Sequence, residues 1–477
     1  MNACKPAPPL VVDLDGTLIR TDLLHESALA LLRHDPLAAL AIPVWLVRGK
    51  ASMKAEIARR VDIDAATLPY NEPFLVWLRQ QHAAGRQLIL TTASHRKFAE
   101  AVATHLGLFD AVWASDEQTN LAGENKRRRL TAEFGERGFC YAGNASPDLK
   151  VWQSAASAVV VNASNGLLKE AATLAPIEHV EPSPRQGVGS WLNALRLHQW
   201  LKNLLIFLPL LAAHQFADPA RWSMALLAFV SFGLTASSVY LLNDLLDLSD
   251  DRHHHSKCRR PFASGQLSVI SGVLAAPLLL VVAIGIATFL PWKYSVLLAG
   301  YYCLTVAYSF WLKRLVMLDA IVLAALYTAR IVAGATAVHI SPSFWLLAFS
   351  MFIFLSLALL KRYSELVSLR RAGEWKRARG RDYHVEDIEL LASLGASAGY
   401  GSVLVLALYI NSAAVQGLYH EPRLIWFACP LLLYWISRAW IVAHRGEMHD
   451  DPVVYAVRDG ASRWVAIGMA LVFWLAI

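Results

Sequence analysis

The stretch NDLLDLSDDRHHHSKCRRP at residues 243–261 places acidic residues directly after a long apolar segment. Asp244, Asp247 and Asp251 are spaced three and then four residues apart, so on a helix their side chains share one face. Carboxylates at the end of a membrane span are costly and mark a functional site by default. A hard divalent cation relieves their mutual repulsion, and Mg²⁺ prefers carboxylates together with phosphate oxygens. The stretch therefore predicts a site for Mg²⁺ and a phosphorylated substrate.

Basic residues follow the acids within the same stretch. Lys257, Arg259 and Arg260 are within reach of an anion bound at the acidic site. The histidine run 253–255 is a weaker sign of a transition-metal site, because adjacent residues cannot share a helix face. A solvated, charged loop is the alternative reading, and the flanking apolar segments and the helical spacing argue against it.

The composition around this stretch is that of a membrane protein. Hydrophobic residues make up 56% of the 477 residues and charged residues only 17%, which is unusual for a soluble protein of this size. The five cysteines are scattered without a CxxC pair, which argues against a disulfide or cysteine-metal framework. About nine apolar segments follow residue 190 and predict an all-α bundle of about nine transmembrane helices. They lie near 203–217, 222–246, 267–290, 293–312, 316–338, 343–360, 395–415, 423–441 and 462–477.

Loop charges predict the orientation of these segments. With the N-terminus inside, the outer loops carry only Arg221, Lys293 and Arg423, whereas the inner loops hold the basic clusters. This distribution obeys the positive-inside rule. We therefore expect a multi-pass protein of the cytoplasmic (inner) membrane, with a lipid bilayer as partner and the N-terminal domain in the cytoplasm. Residues 191–203 mix apolar and basic residues at helical spacing and are expected to lie in the interface.

The N-terminal part has a different pattern. Short apolar runs that end in polar residues alternate with charged helical stretches, which predicts an α/β Rossmann-type parallel sheet. The runs are VVDLD at 11–15, QLILTT at 87–92, VWAS at 112–115, FCYAGN at 139–144 and AVVVNA at 158–163. We expect residues 1–180 to form this domain, with a helical cap at 22–85, a linker at 181–190, and the membrane domain at 191–477. The apolar run at 37–47 is too short to span a bilayer, so a buried or membrane-touching helix is expected.

The first strand ends in a motif with recognisable chemistry. Asp13-Leu14-Asp15-Gly16-Thr17 resembles the DxDGT motif of the haloacid dehalogenase (HAD) superfamily. In such a motif, Asp13 at the end of the strand can attack phosphorus, and Asp15 can act as general acid and base. That resemblance implies a phosphoryl-oxygen donor in Thr92, a neutralising cation in Lys126, and Mg²⁺ ligands in the four residues Asp13, Asp15, Asn144 and Asp148. The family's GDxxxD motif here reads GNASPD, so Asn144 replaces an acid and weaker Mg²⁺ binding is expected.

The acidic stretch resembles a second family. Asn243, Asp244, Asp247 and Asp251 match NDxxDxxxD of the UbiA superfamily of intramembrane prenyltransferases, and the resemblance covers roughly residues 190–477. It implies a diphosphate held through Mg²⁺ on Asp244, Asp247 and Asp251, with Asn243 beside the substrate. The family's second Asp-rich motif is replaced by LLKRYSEL at 359–366, in which Lys361 and Arg362 stand where carboxylates are expected.

Several segments resemble one branch of that family, the decaprenyl-phosphate phosphoribosyltransferases of mycobacterial cell-wall arabinan synthesis. They are RLHQWLKN, ASSVYLLND, SKCRRPFASG, YSFWLKR and KRYSEL. The branch implies Mg²⁺-dependent transfer of a 5-phosphoribosyl group from phosphoribosyl pyrophosphate to polyprenyl phosphate. The expected phosphate contacts are Lys202, Lys257, Arg260, Lys313, Lys361 and Arg362. The HAD-like domain is then expected to remove the 5-phosphate from the product.

Two other functions are open at this stage. An aromatic prenyltransferase of the quinone type would need a second acidic loop, and the acids Asp382, Glu386 and Asp387 follow only after a basic stretch. A non-enzymatic membrane receptor or transporter would favour internal inverted repeats, and the sequence shows no clear repeat. Nucleic acid is not expected as a partner, because the basic residues lie in predicted inner loops.

Overall fold

The computed structural model describes residues 7–183, 187–254, 256–371, 373, 381–412, 415, 417–448 and 452–477. His255 of the histidine run, residues 184–186 of the predicted linker and the basic residues of 376–379 lie outside this part of the chain. The chain divides into two compact units. The first unit comprises Met1–Arg196 and Tyr240–Pro277, and the second comprises Leu197–Val239 and Leu278–Ile477. The acidic stretch at 243–261 therefore belongs to the same unit as the N-terminal domain.

The first unit contains a six-stranded parallel sheet. Its order is β3-β2-β1-β4-β5-β6, and both neighbours of β1 pair with it in parallel. This confirms the predicted α/β parallel-sheet fold and brings the carboxyl ends of β1, β2 and β4 to one edge. The strands are β1 Leu10–Asp13, β2 Leu88–His95, β3 Ala111–Ser115, β4 Cys140–Gly143, β5 Ser157–Val161 and β6 Ile177–Glu181.

Helices cover the sheet and fill the chain between β1 and β2. Buried residues on both faces of β1 belong to two separate apolar clusters, so the central strand is buried from each side. The helices of this part are α1 Leu23–His34, α2 Pro36–Ala39, α3 Ile42–Val47, α4 Lys50–Ala58, α5 Glu72–Ala83, α6 Arg96–Leu106, α7 Glu124–Phe134, α8 Leu149–Trp152, α9 Asn165–Leu174 and α10 Val188–Ala194. Short 3₁₀ turns lie at Ala65–Thr67 and Ser146–Asp148.

The apolar run at 37–47 is only partly buried. It folds as α2 and α3, and its large side chains are mostly exposed, with Leu37 80% and Val47 89% accessible. Trp45 is the exception, at 8%. The structure thus excludes a fully buried helix at this position, and contact with the membrane stays a prediction.

Helices make up most of the rest of the chain, and several of them are long and apolar. They are α11 Leu208–Ala212, α12 Pro219–Leu246, α13 Leu248–His253, α14 Val269–Ala287, α15 Trp292–Phe310, α16 Leu318–Ala337, α17 Phe344–Arg371, α18 Ile388–Ile410, α19 Ala428–His444, α20 Pro452–Arg458 and α21 Gly460–Ala476. Within the described residues, 6 helices are long and apolar enough to cross a membrane. They are Pro219–Leu246, Val269–Ala287, Leu318–Ala337, Phe344–Arg371, Val385–Ile410 and Pro422–His444. An all-α membrane domain is confirmed, while the count of nine spans stays a prediction.

The first predicted span, 203–217, does not form one continuous helix. A 3₁₀ segment covers Leu197–Phe207 and is followed by the short α11. A β-carbon on Gly334 of α16 would lie 1.9 Å from the Ile206 carbonyl oxygen, so the 3₁₀ backbone rests directly on that helix. Asn203 is also buried and accepts a hydrogen bond from Arg330 at 3.0 Å. Backbone packing and a polar contact, which hydropathy does not report, shape this segment.

Candidate active sites

The carboxyl end of β1 carries a buried ion pair. The Lys126 ammonium, at the start of α7, donates to Asp13 Oδ1 at 2.7 Å and to the Tyr141 hydroxyl at 2.9 Å. Burial raises the pKa of the Asp13 carboxyl to about 7, although Lys126 lowers it; the Asp148 carboxylate raises it further. The structure therefore brings Asp13, Lys126 and Asp148 together at one edge of the sheet. Tyr141, on β4, is a member of this site that motif reasoning missed.

Asp15 is held by three donors. Its Oδ2 accepts hydrogen bonds from Thr92 at 3.0 Å and Ser94 at 2.7 Å, and its Oδ1 accepts one from the backbone N–H of Leu23 at 2.9 Å. Burial raises the pKa of Asp15, and the Asp22 carboxylate adds to that effect. A raised pKa suits a group that must both give and accept a proton. The single O–H of Thr92 is directed at Asp15 in this structure, so its contact with a phosphoryl oxygen stays a prediction.

Asp148 and Asn144 form the turn after β4. Asp148 accepts from Tyr141 Oη at 2.7 Å on one oxygen, and from the backbone N–H groups of Asn144 at 2.9 Å and Ala145 at 3.0 Å on the other. The Asn144 amide packs against Gly16, whose φ is +74°, and a β-carbon there would meet its Nδ2 at 2.1 Å. The loop after β1 therefore requires glycine at position 16, and the DxDGT motif supplies it.

A lysine from α4 reaches the edge of this site. Lys54 is buried, and its ammonium donates to the Ala93 carbonyl at 2.6 Å and to Asn120 at 2.9 Å. Burial lowers its pKa, while the Asp15 and Asp22 carboxylates raise it. Lys54, Ser94 and His95 line a small cavity together with three further residues, Leu24, Ser27 and Phe98. No sequence motif pointed to Lys54, because only the fold brings α4 to β2.

The acidic stretch pairs with arginines. Arg260 Nη1 lies 2.6 Å from Asp251 Oδ2 and 3.1 Å from Asp244 Oδ1, so one cationic group stands between two buried carboxylates. Arg196 also binds Asp244 and stacks over the Tyr240 ring at 5.0 Å. Burial raises the pKa of Asp251 to about 6, although Arg260 lowers it. Arg196 was not among the predicted site residues.

Asp247, the remaining predicted metal ligand of the stretch, has a different partner. Helix α12 ends at Leu246, Asp247 forms a turn, and Asp247 Oδ1 lies 3.3 Å from Arg33 Nη1 of α1. Asn243 lies one residue before Asp244, near the end of α12, and Lys257 begins an exposed 3₁₀ turn. His253 binds Ser249 and Asp64, and His254 accepts from the Ser256 N–H. These contacts give no support to a transition-metal site in the described part of the histidine run.

The second unit contains a separate buried network. Arg362, in α17, donates to Asp319 at 2.6 Å, to both carboxylate oxygens of Glu365 at 2.9 and 2.8 Å, and to the Tyr308 hydroxyl at 3.2 Å. Asp319 also accepts a hydrogen bond from the Tyr383 hydroxyl. Arg381 adds a contact with Glu365 at 3.0 Å. Protein partners therefore engage all three guanidinium nitrogens of Arg362, and one of these partners, Asp319, was not among the residues that the sequence analysis selected.

Other basic residues of the second unit lie close to aromatic rings or to the 3₁₀ turns. The Lys202 ammonium stands 5.6 Å from the centre of the Tyr327 ring, and the same ring lies 5.4 Å from the buried Arg330 guanidinium. Lys313 is half-buried in the turn Leu312–Arg314, and Lys361 is half-buried in α17. Sequence reasoning selected Lys202 but missed Arg330, which lies in the middle of an apolar helix.

The oxygen donors at both acidic sites fit Mg²⁺ held jointly with a phosphate group. Among the described residues, no three His, Cys, Asp or Glu side chains are gathered as a ready metal site. Mg²⁺, however, is commonly bound by one or two carboxylates plus substrate phosphates and water. Asp13 with Asp148 supplies such a pair at the sheet edge. Asp244 with Asp251 supplies another, and Arg260 shows that a cation fits between them.

Comparison with known families identifies both parts of the chain. Residues 204–474, more than half of the sequence, match the model of the UbiA prenyltransferase family. The chain belongs to this family. Residues 10–156 match the haloacid dehalogenase-like hydrolase model, so this UbiA member carries an N-terminal HAD-like domain. Both matches are to enzyme families, and the UbiA match together with the apolar helices identifies a multi-pass membrane protein.

Several relatives share parts of this arrangement. Uncharacterized protein y4nM of Sinorhizobium fredii is 36% identical over 98% of this chain and 91% of its own length. Nodulation protein NoeC of Azorhizobium caulinodans is 41% identical over 59% of this chain and 91% of its own length. Decaprenyl-phosphate phosphoribosyltransferase of Mycolicibacterium smegmatis is 34% identical over 46% of this chain and 72% of its own length. The resemblance to both families that the motifs indicated is thus confirmed.

One solved structure is similar to this UbiA member. The UbiA homolog from Archaeoglobus fulgidus bound to GPP and Mg²⁺ covers 59% of this chain and 96% of its own chain. The sequence identity is 16% and the TM-score 0.46.

Proposed function

We propose that the chain transfers a 5-phosphoribosyl group from phosphoribosyl pyrophosphate to a polyprenyl phosphate and releases diphosphate. The observation that carries the proposal is the grouping of Asp244, Asp251 and Arg260, which offers carboxylates for Mg²⁺ and a guanidinium for phosphate oxygens. The relative from Mycolicibacterium smegmatis, whose name states this activity, supports the choice of substrates.

The chemistry needs positioning and charge stabilisation more than proton transfer. The bond between the anomeric carbon and the diphosphate oxygen breaks, and an oxygen of the polyprenyl phosphate forms the new bond to that carbon. The attacking phosphate is already an anion, so no general base is required. Mg²⁺ bound by Asp244 and Asp251 would stabilise the leaving diphosphate as a Lewis acid. Arg260 is then free to exchange its carboxylate partners for phosphate oxygens, which it can bind through two nitrogens.

Other predicted contacts enter the proposal with different roles. Asp247 remains a candidate metal ligand and Asn243 a candidate substrate contact. Lys202, Lys257, Lys313 and Lys361 are kept as candidate phosphate contacts. For Arg362 we propose a positioning role, because its guanidinium already binds Asp319, Glu365 and Tyr308.

The HAD-like domain is proposed to remove the 5-phosphate from the lipid product. The Asp13 carboxylate attacks phosphorus, and the ester oxygen leaves with a proton from Asp15. Water then hydrolyses the aspartyl-phosphate while Asp15 takes a proton from that water. Lys126, at 2.7 Å from Asp13, balances the charge on the nucleophile and on the intermediate. Tethering both sites in one chain raises the local concentration of the intermediate lipid.

A product assay tests the phosphoribosyl transfer and distinguishes it from the transfer of a prenyl group to an aromatic acceptor. The purified full chain in lipid is offered Mg²⁺, phosphoribosyl pyrophosphate and polyprenyl phosphate, or a prenyl diphosphate with an aromatic acid. We expect mass spectrometry to detect a ribosylated polyprenyl phosphate, and none with the variant Asp251→Asn. A prenylated aromatic acid as the only product would contradict the proposal and support an aromatic prenyltransferase.

The location of the protein is part of the same proposal. Both substrates of the transfer carry charged phosphates, and the basic loops predicted by the positive-inside rule face the cytoplasm. We therefore place the acidic site and the HAD-like domain on the cytoplasmic side of the inner membrane. Protease accessibility of the HAD-like domain in inverted and right-side-out vesicles tests this orientation.

A further inference from the structure

Arg252 connects the acidic stretch to the HAD-like domain within the first unit. Its Nη1 and Nη2 atoms donate to the two carboxylate oxygens of Glu26, in α1, at 2.7 and 2.5 Å. Its Nε donates to the Ala263 carbonyl at 3.0 Å. Both charged side chains are almost fully buried, with 5% and 6% of their surface exposed. This is a bidentate, desolvated ion pair, unlike the exposed pairs that contribute little.

The position of Arg252 determines what this pair holds in place. Arg252 follows Asp251 in α13, and Ala263 lies three residues after Arg260. The Arg252 guanidinium therefore holds α13, which contains Asp251, next to the segment that contains Arg260, the partner of Asp251. Without Glu26, Arg252 would be a buried charge lacking its carboxylate, and this fastening would be lost.

Further contacts of the same kind surround the pair. Arg33 lies two turns after Glu26 in α1. It donates to the Leu246 carbonyl at 3.1 Å and to Asp250 at 2.5 Å. Gly265 has a φ of +71°, and a β-carbon there would lie 2.7 Å from Arg20 Cβ. The Thr21 hydroxyl donates to Glu26, and the Thr21 carbonyl accepts from the Gly16 N–H beside Asp15. The segment that runs from the DxDGT motif through α1 therefore contacts the acidic stretch and the turn that follows it.

We infer that Glu26 is a positioning residue for the transfer reaction: through Arg252, the HAD-like domain holds the Asp-rich segment in its working conformation. The domain would thus serve the transferase site independently of its own phosphatase chemistry. This inference rests on the proposed function for the identity of the reaction, whereas the conformational effect requires no substrate. Groups that orient metal ligands typically change metal affinity or activity by about 10–100-fold when removed.

The experiment uses the full chain in lipid with two readouts. Hydrogen exchange of residues 248–264 reports the conformation of the segment without any substrate. The transfer assay reports kcat, the KM for phosphoribosyl pyrophosphate and the Mg²⁺ concentration at half-maximal rate. The variants are Glu26→Gln, the double variant Glu26→Gln with Arg252→Gln, and the control Glu56→Gln. Glu56 also binds two arginines, but both lie within three or four residues of it in sequence.

For Glu26→Gln we expect faster exchange of residues 248–264 and about a tenfold higher Mg²⁺ requirement. Glu56→Gln should leave both values unchanged. In the double variant no buried charge is left without a partner, so thermal stability should recover, while the Mg²⁺ requirement should stay high. Recovery of the Mg²⁺ requirement together with stability would overturn the inference, because the pair would then act through stability alone.

Two further results decide between the inference and the proposed function. Unchanged hydrogen exchange in Glu26→Gln would overturn the inference even if wild-type transfer is observed. Faster exchange in a chain that transfers no phosphoribosyl group would uphold the conformational role of Glu26 and reject the proposed function.

Discussion

Lys126 Nζ lies 2.7 Å from Asp13 Oδ1 in a buried ion pair at the carboxyl end of β1. The carboxylate proposed as the nucleophile is thus paired with a cation in a site where burial disfavours its charge. Burial raises the pKa of Asp13 to about 7, with Lys126 acting in the opposite direction. Because burial and one cation act in opposite directions on this carboxyl, we expect the proposed phosphatase reaction to depend on pH and on Mg²⁺.

The pH dependence of phosphate release follows from that pKa. Only the ionised form of Asp13 is nucleophilic, so hydrolysis of p-nitrophenyl phosphate should fall as the pH drops through about 7 at low Mg²⁺. At saturating Mg²⁺ the acidic limb should move to lower pH, because a nearby cation favours the carboxylate. Rate profiles from about pH 5 to about pH 9 at two Mg²⁺ concentrations measure this shift. A limb that does not move with Mg²⁺ would separate Asp13 from the metal.

The substitution Asn144→Asp restores a carboxylate to the turn after β4. We expect about a tenfold lower Mg²⁺ concentration at half-maximal hydrolysis, since a charged oxygen binds Mg²⁺ more strongly than an amide oxygen. Without Mg²⁺ the same variant should be less stable, because the introduced carboxylate would stand near Asp13 and Asp148 without a compensating cation. Calorimetry with and without Mg²⁺ measures the difference. Equal Mg²⁺ dependence in both proteins would remove position 144 from the metal site.

Arg260→Gln tests the proposed phosphate contact. Hydrogen bonds to charged groups contribute about 1.5–3 kcal/mol, so the KM for phosphoribosyl pyrophosphate should rise by roughly 10–100-fold. The neighbouring Arg259→Gln is a matched control, because Arg259 is exposed and carries the same charge. Steady-state kinetics of diphosphate release measure both variants. An equal rise in KM for both would indicate a general charge effect and not a contact specific to Arg260.

Arg362→Met should lower the stability of the protein more than it weakens substrate binding. Asp319 is fully buried and would lose its cationic partner, and breaking such a pair costs about 3–5 kcal/mol. The adjacent variant Lys361→Met should instead weaken substrate binding while leaving the melting temperature nearly unchanged. Thermal unfolding in detergent and the KM for phosphoribosyl pyrophosphate are measured for both. Arg362→Met with wild-type stability and a raised KM would return Arg362 to the substrate contacts.

The sequence predicted which strands and helices are present better than it predicted where they begin and end. Five strands of the sheet were recognised from apolar runs that end in polar residues, and the sixth, Ile177–Glu181, was missed because its side chains are only half-buried or exposed. Helix α17 continues eleven residues beyond the predicted 343–360 span, since a charged segment ends an apolar run without ending a helix. Hydropathy measures burial in lipid or in a core, and it does not measure where backbone hydrogen bonding stops.

Residue types and short spacings were enough to recognise the two families, the DxDGT motif and the acidic stretch. Local motifs can do this because they consist of groups that lie close together in the chain. Only the tertiary structure decided the partners of those groups: Arg260 between Asp244 and Asp251, Arg362 in a buried network, and Glu26 on Arg252. Glu26 and Arg252 are more than two hundred residues apart in sequence. Long-range pairing of this kind depends on how the backbone packs, which the pattern of a single sequence does not encode.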